Sequence, residues 1–211
     1  QEAVKQQQAF WLDEFAGEIP VLNLPVDFVR PAVWDFAGST LAFEIDEAGT
    51  GQLKQWALSE GATLYMVLRA LFNVFLANLS GREDIVAGSP AAGRRHAGLE
   101  PLIGMFVDTL ALRNYPQGKK TINEFIKEVG DKTLKARENQ DYPFEALVKK
   151  LELTGETGRN PLLDAMFALQ NIDFPEIRIP GLKVAPYEYE NKTAKFDLTF
   201  NCVEKRNKLF F

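Results

Sequence analysis

The chain has 211 residues, 46% of them hydrophobic, enough to bury a sizeable core as one large domain or as one lobe of something larger. Lysine and arginine number 24 and aspartate and glutamate 29, a formal net charge of −5 that disfavours a polyanionic partner, so no nucleic-acid reading is supported. A single cysteine, Cys202, excludes an internal disulfide and fits a reducing, cytoplasmic compartment.

The segment Glu2 to Phe15 has weak helical character, with Val4, Phe10, Trp11 and Phe15 sharing part of one face. Its opening residues have no apolar core of a secretory signal and read as a helix entered in mid-course, as in an excised fragment. From Gly17 to Pro31, Pro20, Pro25 and Pro31 forbid a continuous helix and predict an extended arm laid over a surface, of the kind that links two lobes. Thr40 to Ile45 alternates Leu41, Phe43 and Ile45 with Thr40, Ala42 and Glu44, which predicts a half-buried strand.

A helix is expected near Thr50 to Glu60, ended by Gly61. Thr63 to Leu79 is the most apolar segment, yet it contains Arg69, Asn73 and Asn78 and falls short of the roughly 20 residues that span a bilayer. Apolar residues lie nearly all round it, which describes a helix buried inside a protein, and no membrane is implied. Asp84 to Gly88 and Phe106 to Leu112 are short apolar runs bounded by turn residues, expected as strands buried on both faces. The loop between them, Ser89 to Gly104, is about three times the usual connection length, so it reads as functional or disordered.

Thr121 and Glu124 have capping-box spacing and open an amphipathic helix that ends near Asn139, with Ile122, Phe125, Ile126, Val129 and Leu134 on its apolar stripe. Pro143 suits the first position of the next helix, whose Phe144, Leu147, Val148 and Leu151 face inward. Leu162 to Leu169, Val184 to Tyr189 and Phe196 to Val203 read as strands, with Glu190 to Lys192 as a turn, and Lys208 to Phe211 starts another. Cys202 falls on the apolar face of its strand and reads as an inert core thiol. The fold class is α/β, a two-layer mixed sheet with helices.

Three segments carry a resemblance. Ile103-Gly104-Met105-Phe106-Val107-Asp108-Thr109-Leu110-Ala111-Leu112-Arg113, then Asn139-Gln140-Asp141-Tyr142-Pro143-Phe144-Glu145, then Gly158-Arg159-Asn160-Pro161-Leu162 resemble, in order and spacing, the three later signature motifs of condensation domains in nonribosomal peptide synthetases. That family is similar in fold to chloramphenicol acetyltransferase: two lobes form a V, and a tunnel between them admits carrier-bound substrates from both ends. The resemblance implies that residues 1–36 are a linker helix and proline-rich arm from the N-terminal lobe, and that residues 37–211 are the C-terminal lobe, stopping before a further strand and a closing helix.

Amide formation in the family is attributed to two adjacent histidines, three variable residues and Asp-Gly, carried by the N-terminal lobe. Here the only histidine is His96, followed by Ala97, Gly98 and Leu99, so no catalytic residue is assigned and the chain alone is expected to be inactive. The partners implied are the N-terminal lobe, peptidyl carrier proteins and the adenylation domain of the same assembly line. No cofactor is expected to bind directly, because 4′-phosphopantetheine arrives on the carrier proteins, and one His with one Cys supplies no usual metal site. Two other readings stay open, a non-catalytic carrier-protein docking module and a lobe of an epimerisation domain. A self-sufficient acyltransferase is opposed by the missing histidine motif.

Candidate site residues follow from the same resemblance and from strand alternation. Gly104, Phe106, Asp108 and Thr109 read either as a central strand with a bend or as tunnel lining, and the family often has Asn where Asp108 stands. Asp197, Thr199 and Asn201 form a polar row that faces either solvent or the cleft. Arg94 and Arg95 are either solvated loop charges or contacts to a pantetheine phosphate, and His96 beside them is a solvated loop residue or a base. Asp141, Tyr142, Pro143, Phe144 and Glu145 read as a helix junction, the two carboxylates accepting from free amides. Arg159, Asn160 and Pro161 precede a strand, where the arginine would pair with Asp141 or Asp164.

Overall fold

The computed structural model describes residues 2–31, 33, 35–93, 97–99, 101–153, 158–170, 179–182, 185 and 191–211. Five helices, α1 (Glu2–Glu14), α2 (Glu47–Ser59), α3 (Leu64–Ser80), α4 (Ile122–Glu138) and α5 (Phe144–Lys150), accompany six strands. These are β1 (Glu44–Ile45), β2 (Ile85–Ala92), β3 (Val107–Asn114), β4 (Ala165–Gln170), β5 (Leu198–Lys205) and β6 (Lys208–Phe210). They form one sheet in the order β1-β6-β5-β4-β2-β3. The sheet is mixed, parallel from β2 through β4 to β5 and antiparallel elsewhere, as the α/β expectation requires.

Local signals place the helices. Asp46 accepts from the Gly49 amide and starts α2 at Glu47, one turn before the expected Thr50, because a carboxylate cap outranks the apolar pattern that begins later. Thr63 caps α3, and Gly81, with φ 67°, ends it in the left-handed conformation that a side chain would resist. The capping box between Thr121 and Glu124 is formed, and α4 runs to Glu138. Pro143 stands at the cap of α5, one residue earlier than expected, with ψ 137° that keeps it outside the helix.

Two strand expectations shift. Only Glu44 and Ile45 of the expected Thr40–Ile45 strand join the ladder, and Leu41 is 86% exposed, because the arm lies outside the sheet until Phe43 exchanges backbone hydrogen bonds with Phe211. In contrast β2 runs through Ser89 and Pro90 to Ala92, so the long loop starts four residues later than Ser89. Its neck is closed by the Gly93 amide on the Phe106 carbonyl at 2.5 Å. Most of the expected strand Val184 to Tyr189 and the turn residue Glu190 lie outside the described residues.

Alternation along the sheet builds two cores. Ile85, Ala87, Phe167, Cys202 and Leu209 pack with Leu68, Phe72 and Leu76 of α3, where Phe72 meets the rings of Phe167 and Phe200 at 5.5 and 5.3 Å. Val86, from the opposite face of β2, packs with Trp11 and Phe15 of α1 and Leu147 of α5. Arg113, which ends β3's sequence motif, fastens α1 to the sheet: it donates to Asp84 at 2.7 Å and to the Glu18 carbonyl at 2.8 Å. That carboxylate raises the Arg113 pKa further above its ordinary value. Among the described residues no single helix is long and apolar enough to cross a membrane.

The expectation that α3 is buried all round needs correcting. Its polar residues Arg69 and Asn73 are 0% exposed, while Leu71, Phe75 and Leu79 are exposed. The reason lies across the chain: Arg69 gives Nη1 to the Gly88 carbonyl and Nη2 to the Ala87 carbonyl, and Asn73 gives Nδ2 to Asn114 Oδ1. Burial lowers the Arg69 pKa from its ordinary value, against a smaller upward effect of Tyr65.

Candidate functional site

The sheet has one face covered by α3 and another that is open over part of its extent. β5 and β4 run parallel with Thr199 opposite Met166 and Asn201 opposite Ala168, and Met166 pairs in turn with Gly88 of β2. Alternation therefore places Thr199 and Asn201 on the face away from Phe200 and Cys202, and both are exposed. Pro90 pairs with Thr109, two residues along β2 from Gly88, so Thr109 shares that face from the far edge of the sheet. Three strand spacings, about 14 Å, separate Thr109 from the β5 row.

Asp108 falls on the other face, paired with Ala91, and its Oδ1 accepts from the Thr109 amide at 2.7 Å. Phe106 shares the alternation of Asp108 and is partly buried, with the Gly104 backbone against its ring. The first motif thus divides: Thr109 shares the face of the polar row, and Phe106 and Asp108 do not. Around it Leu102, Ile103, Met105 and Val107 are exposed. Arg94, Arg95 and His96 lie outside the described residues.

Asp197, expected in the same row, is engaged. Arg30 of the arm donates Nη1 to Asp197 Oδ1 at 2.9 Å and Nη2 to Asp197 Oδ2. Sequence reasoning missed this pairing, because the two residues are 167 apart and the arm showed no pattern beyond its prolines.

The other two motifs are junctions. Asp141 accepts from Gln7 Nε2 of α1 at 3.3 Å, Tyr142 is buried beside Trp11, and the Trp11 indole donates to the Asn139 carbonyl at 2.8 Å. Arg159 settles on Asp164, 3.5 Å from Nε, and also donates to Asn23 Oδ1. Phe144 and Pro161 line an open apolar groove with Val148 and Leu153. Glu145 lies at the rim of the same groove, and Asn160 links Arg159 to Pro161 ahead of β4.

The titratable groups near the row are few. Burial pushes the Asp164 carboxyl up to about 6, opposed by Arg159. Burial pushes the Cys202 thiol up to about 12, with Glu204 adding to it, so the thiol is an inert core group. The Asp164 carboxyl is buried and paired with Arg159, and the site offers hydrogen-bonding side chains and shape.

The family described as "Condensation domain" matches residues 1–211. Gramicidin S synthase 2 of Aneurinibacillus migulanus is 47% identical over 211 residues, which cover 100% of this chain and 5% of that protein. The chain therefore spans a small part of the curated relative. A solved four-domain nonribosomal peptide synthetase superimposes with a TM-score of 0.89 at 23% identity, over 97% of this chain and 17% of that one. The X-domain from teicoplanin biosynthesis superimposes with a TM-score of 0.86 at 25% identity, over 99% of this chain and 49% of that one.

Proposed function

Because the chain belongs to the condensation-domain family of nonribosomal peptide synthetases, we propose that it is the C-terminal lobe of such a domain. In this reading it forms one wall of a tunnel in which an amide bond forms between carrier-bound aminoacyl and peptidyl thioesters. The observation that carries it is one of extent: nearly all of this chain superimposes on about half of the X-domain. The sequence agrees, since its one histidine, His96, lacks a second histidine beside it and a following Asp-Gly.

In the reaction the amine nitrogen attacks the thioester carbonyl, the carbon–nitrogen bond forms, and the carbon–sulfur bond breaks. The amine proton leaves to a base and the thiolate is released on its carrier. A base must stand within hydrogen-bond reach of the amine; Asp164, the described carboxyl raised to about 6, is buried and paired with Arg159, so in this reading the partner lobe supplies the base. The contribution of this lobe is to orient two tethered reactants, which removes much of the entropic part of the barrier. Thr109, Thr199 and Asn201 present the polar groups for that wall.

The partners in this reading are the N-terminal lobe, peptidyl carrier proteins that bring 4′-phosphopantetheine, and the adenylation domain of the same assembly line. Arg94 and Arg95 are the candidates to meet a pantetheine phosphate. The test is amide formation between two loaded carrier proteins, with this chain alone, with this chain plus the N-terminal lobe, and with the intact domain. Silence from the chain alone and turnover by the intact domain are expected. Turnover by the chain alone would overturn the lobe reading and return attention to His96.

A further inference from the structure

Two arginines cross between the arm and the sheet. Arg30, on the arm, holds Asp197 through both terminal nitrogens and donates to the Gly158 carbonyl at 3.2 Å. In the opposite direction Arg159, ahead of β4, donates to Asn23 Oδ1 from both terminal nitrogens at 3.2 Å and to the Leu22 carbonyl at 3.4 Å. Leu22 itself is 5% exposed and lodged in the core beneath α3.

Asp164 lies at the fastening point. It is 7% exposed, and the Arg159 Nε approaches to 3.5 Å without an aligned hydrogen bond. Among the described residues the charges that face it are Arg159 from its own loop, Arg30 from the arm and Asp197 from the start of β5. Leu22, whose carbonyl accepts from Arg159 at 3.4 Å, is thus docked beside the arginine that holds this buried carboxyl.

We propose that residues 22–30 are a strap whose closure is coupled to proton uptake at Asp164. With the strap closed the carboxyl titrates at about 6 against an ordinary 3.8. Burial is the main cause and Asp197 adds to it, while Arg159, Arg30 and the Leu22 amide pull the other way. A state that binds a proton more tightly gains wherever that proton is bound. Closure is therefore strongest below about pH 4 and weakens as the pH rises to about 6, after which it is constant. The strap holds Asp197 at the head of the Thr199 and Asn201 row, so its easing loosens that end of the open face.

The test is hydrogen exchange of the amides of residues 22–30 at about pH 5 and about pH 7.5, corrected for intrinsic exchange, in the wild type, Asp164→Asn and Arg30→Gln. The wild type is expected to lose about tenfold in protection of these amides at the higher pH, with α4 unchanged. Asp164→Asn is expected to remove that dependence. Arg30→Gln is expected to lower protection at both pH values and to keep or enlarge the ratio between them, because Arg30 holds the Asp164 carboxyl down. Equal protection at both pH values in the wild type, or the same ratio in Asp164→Asn, would overturn the proposal. If Asp164→Asn does not fold, Arg30→Gln decides, because loss of the ratio there would overturn the assignment of the proton to Asp164.

Discussion

The Arg69 guanidinium donates from Nη1 to the Gly88 carbonyl at 2.8 Å and from Nη2 to the Ala87 carbonyl at 2.6 Å, with none of its surface exposed. A buried cation usually finds a carboxylate, and none of the hydrogen bonds described for this one goes to an acid. Its charge is carried by strand dipoles and by the nearby Tyr65, whose hydroxyl shares a hydrogen bond with Ser89 at 2.7 Å.

Replacing it separates two opposing effects. Arg69→Met removes the cost of burying the charge but takes one donor from each of two strand carbonyls, a loss of about 1–3 kcal/mol. Arg69→Met is expected to lower stability by about 1–3 kcal/mol, and Arg69→Ala, which also opens a cavity, by about 3–5 kcal/mol. Chemical denaturation of the two variants checks this. A methionine variant more stable than the wild type would mean that desolvation of the charge outweighs the carbonyl bonds.

The same residue shows what was legible in the sequence. Helix α4 could be read closely because its determinants, the Thr121 and Glu124 box and its apolar stripe, lie within the helix itself. For α3 the composition was legible and the orientation was not, since polar residues are expected outward and Arg69 turns inward for carbonyls 18 and 19 positions away. The extent of β2 was hidden by Pro90, which reads as loop. Past Gly88 no further pair joins β2 to β4, so the missing amide hydrogen of Pro90 goes unneeded. In the candidate site, the Thr199 and Asn201 row follows from strand alternation, whereas the removal of Asp197 by Arg30 depends on where the arm lands.

At the neck of the long loop, a Cβ added to Gly93 would lie 2.6 Å from the Phe106 carbonyl oxygen. Backbone must then move, and the 2.5 Å hydrogen bond that closes the neck is lost with it. Gly93→Ala is expected to cost about 1–3 kcal/mol and to make the loop a preferred site of limited proteolysis. Cleavage and stability equal to the wild type would show that the neck opens without strain.

The β5–β6 hairpin turns through Arg206 and Asn207, at φ 52° and 58°, between the paired Lys205 and Lys208. Two consecutive left-handed residues define the mirror-image turn that matches the twist of the strands, and glycine adopts that geometry at the least cost. Asn207→Gly is expected to raise stability by up to about 1 kcal/mol, and Asn207→Val to lower it by about 1 kcal/mol or more, because a β-branched side chain resists positive φ. Thermal melts of both variants provide the comparison, and a stabilising valine would contradict the turn.

Thr199 and Asn201 allow the reading of the open face to be tested apart from folding. Both are exposed, on a strand whose opposite row is packed against α3, so truncating them removes no core contact. Thr199→Ala and Asn201→Ala are expected to leave stability within about 0.5 kcal/mol of the wild type. If the face lines a tunnel in the intact domain, the same variants lower kcat/KM for amide formation there by about tenfold, one hydrogen bond's worth of transition-state positioning. Loss of activity without loss of stability would assign the row to the tunnel. Wild-type activity in both variants would leave the row a solvent-facing surface and move the substrate wall toward Thr109, at the far edge of the sheet.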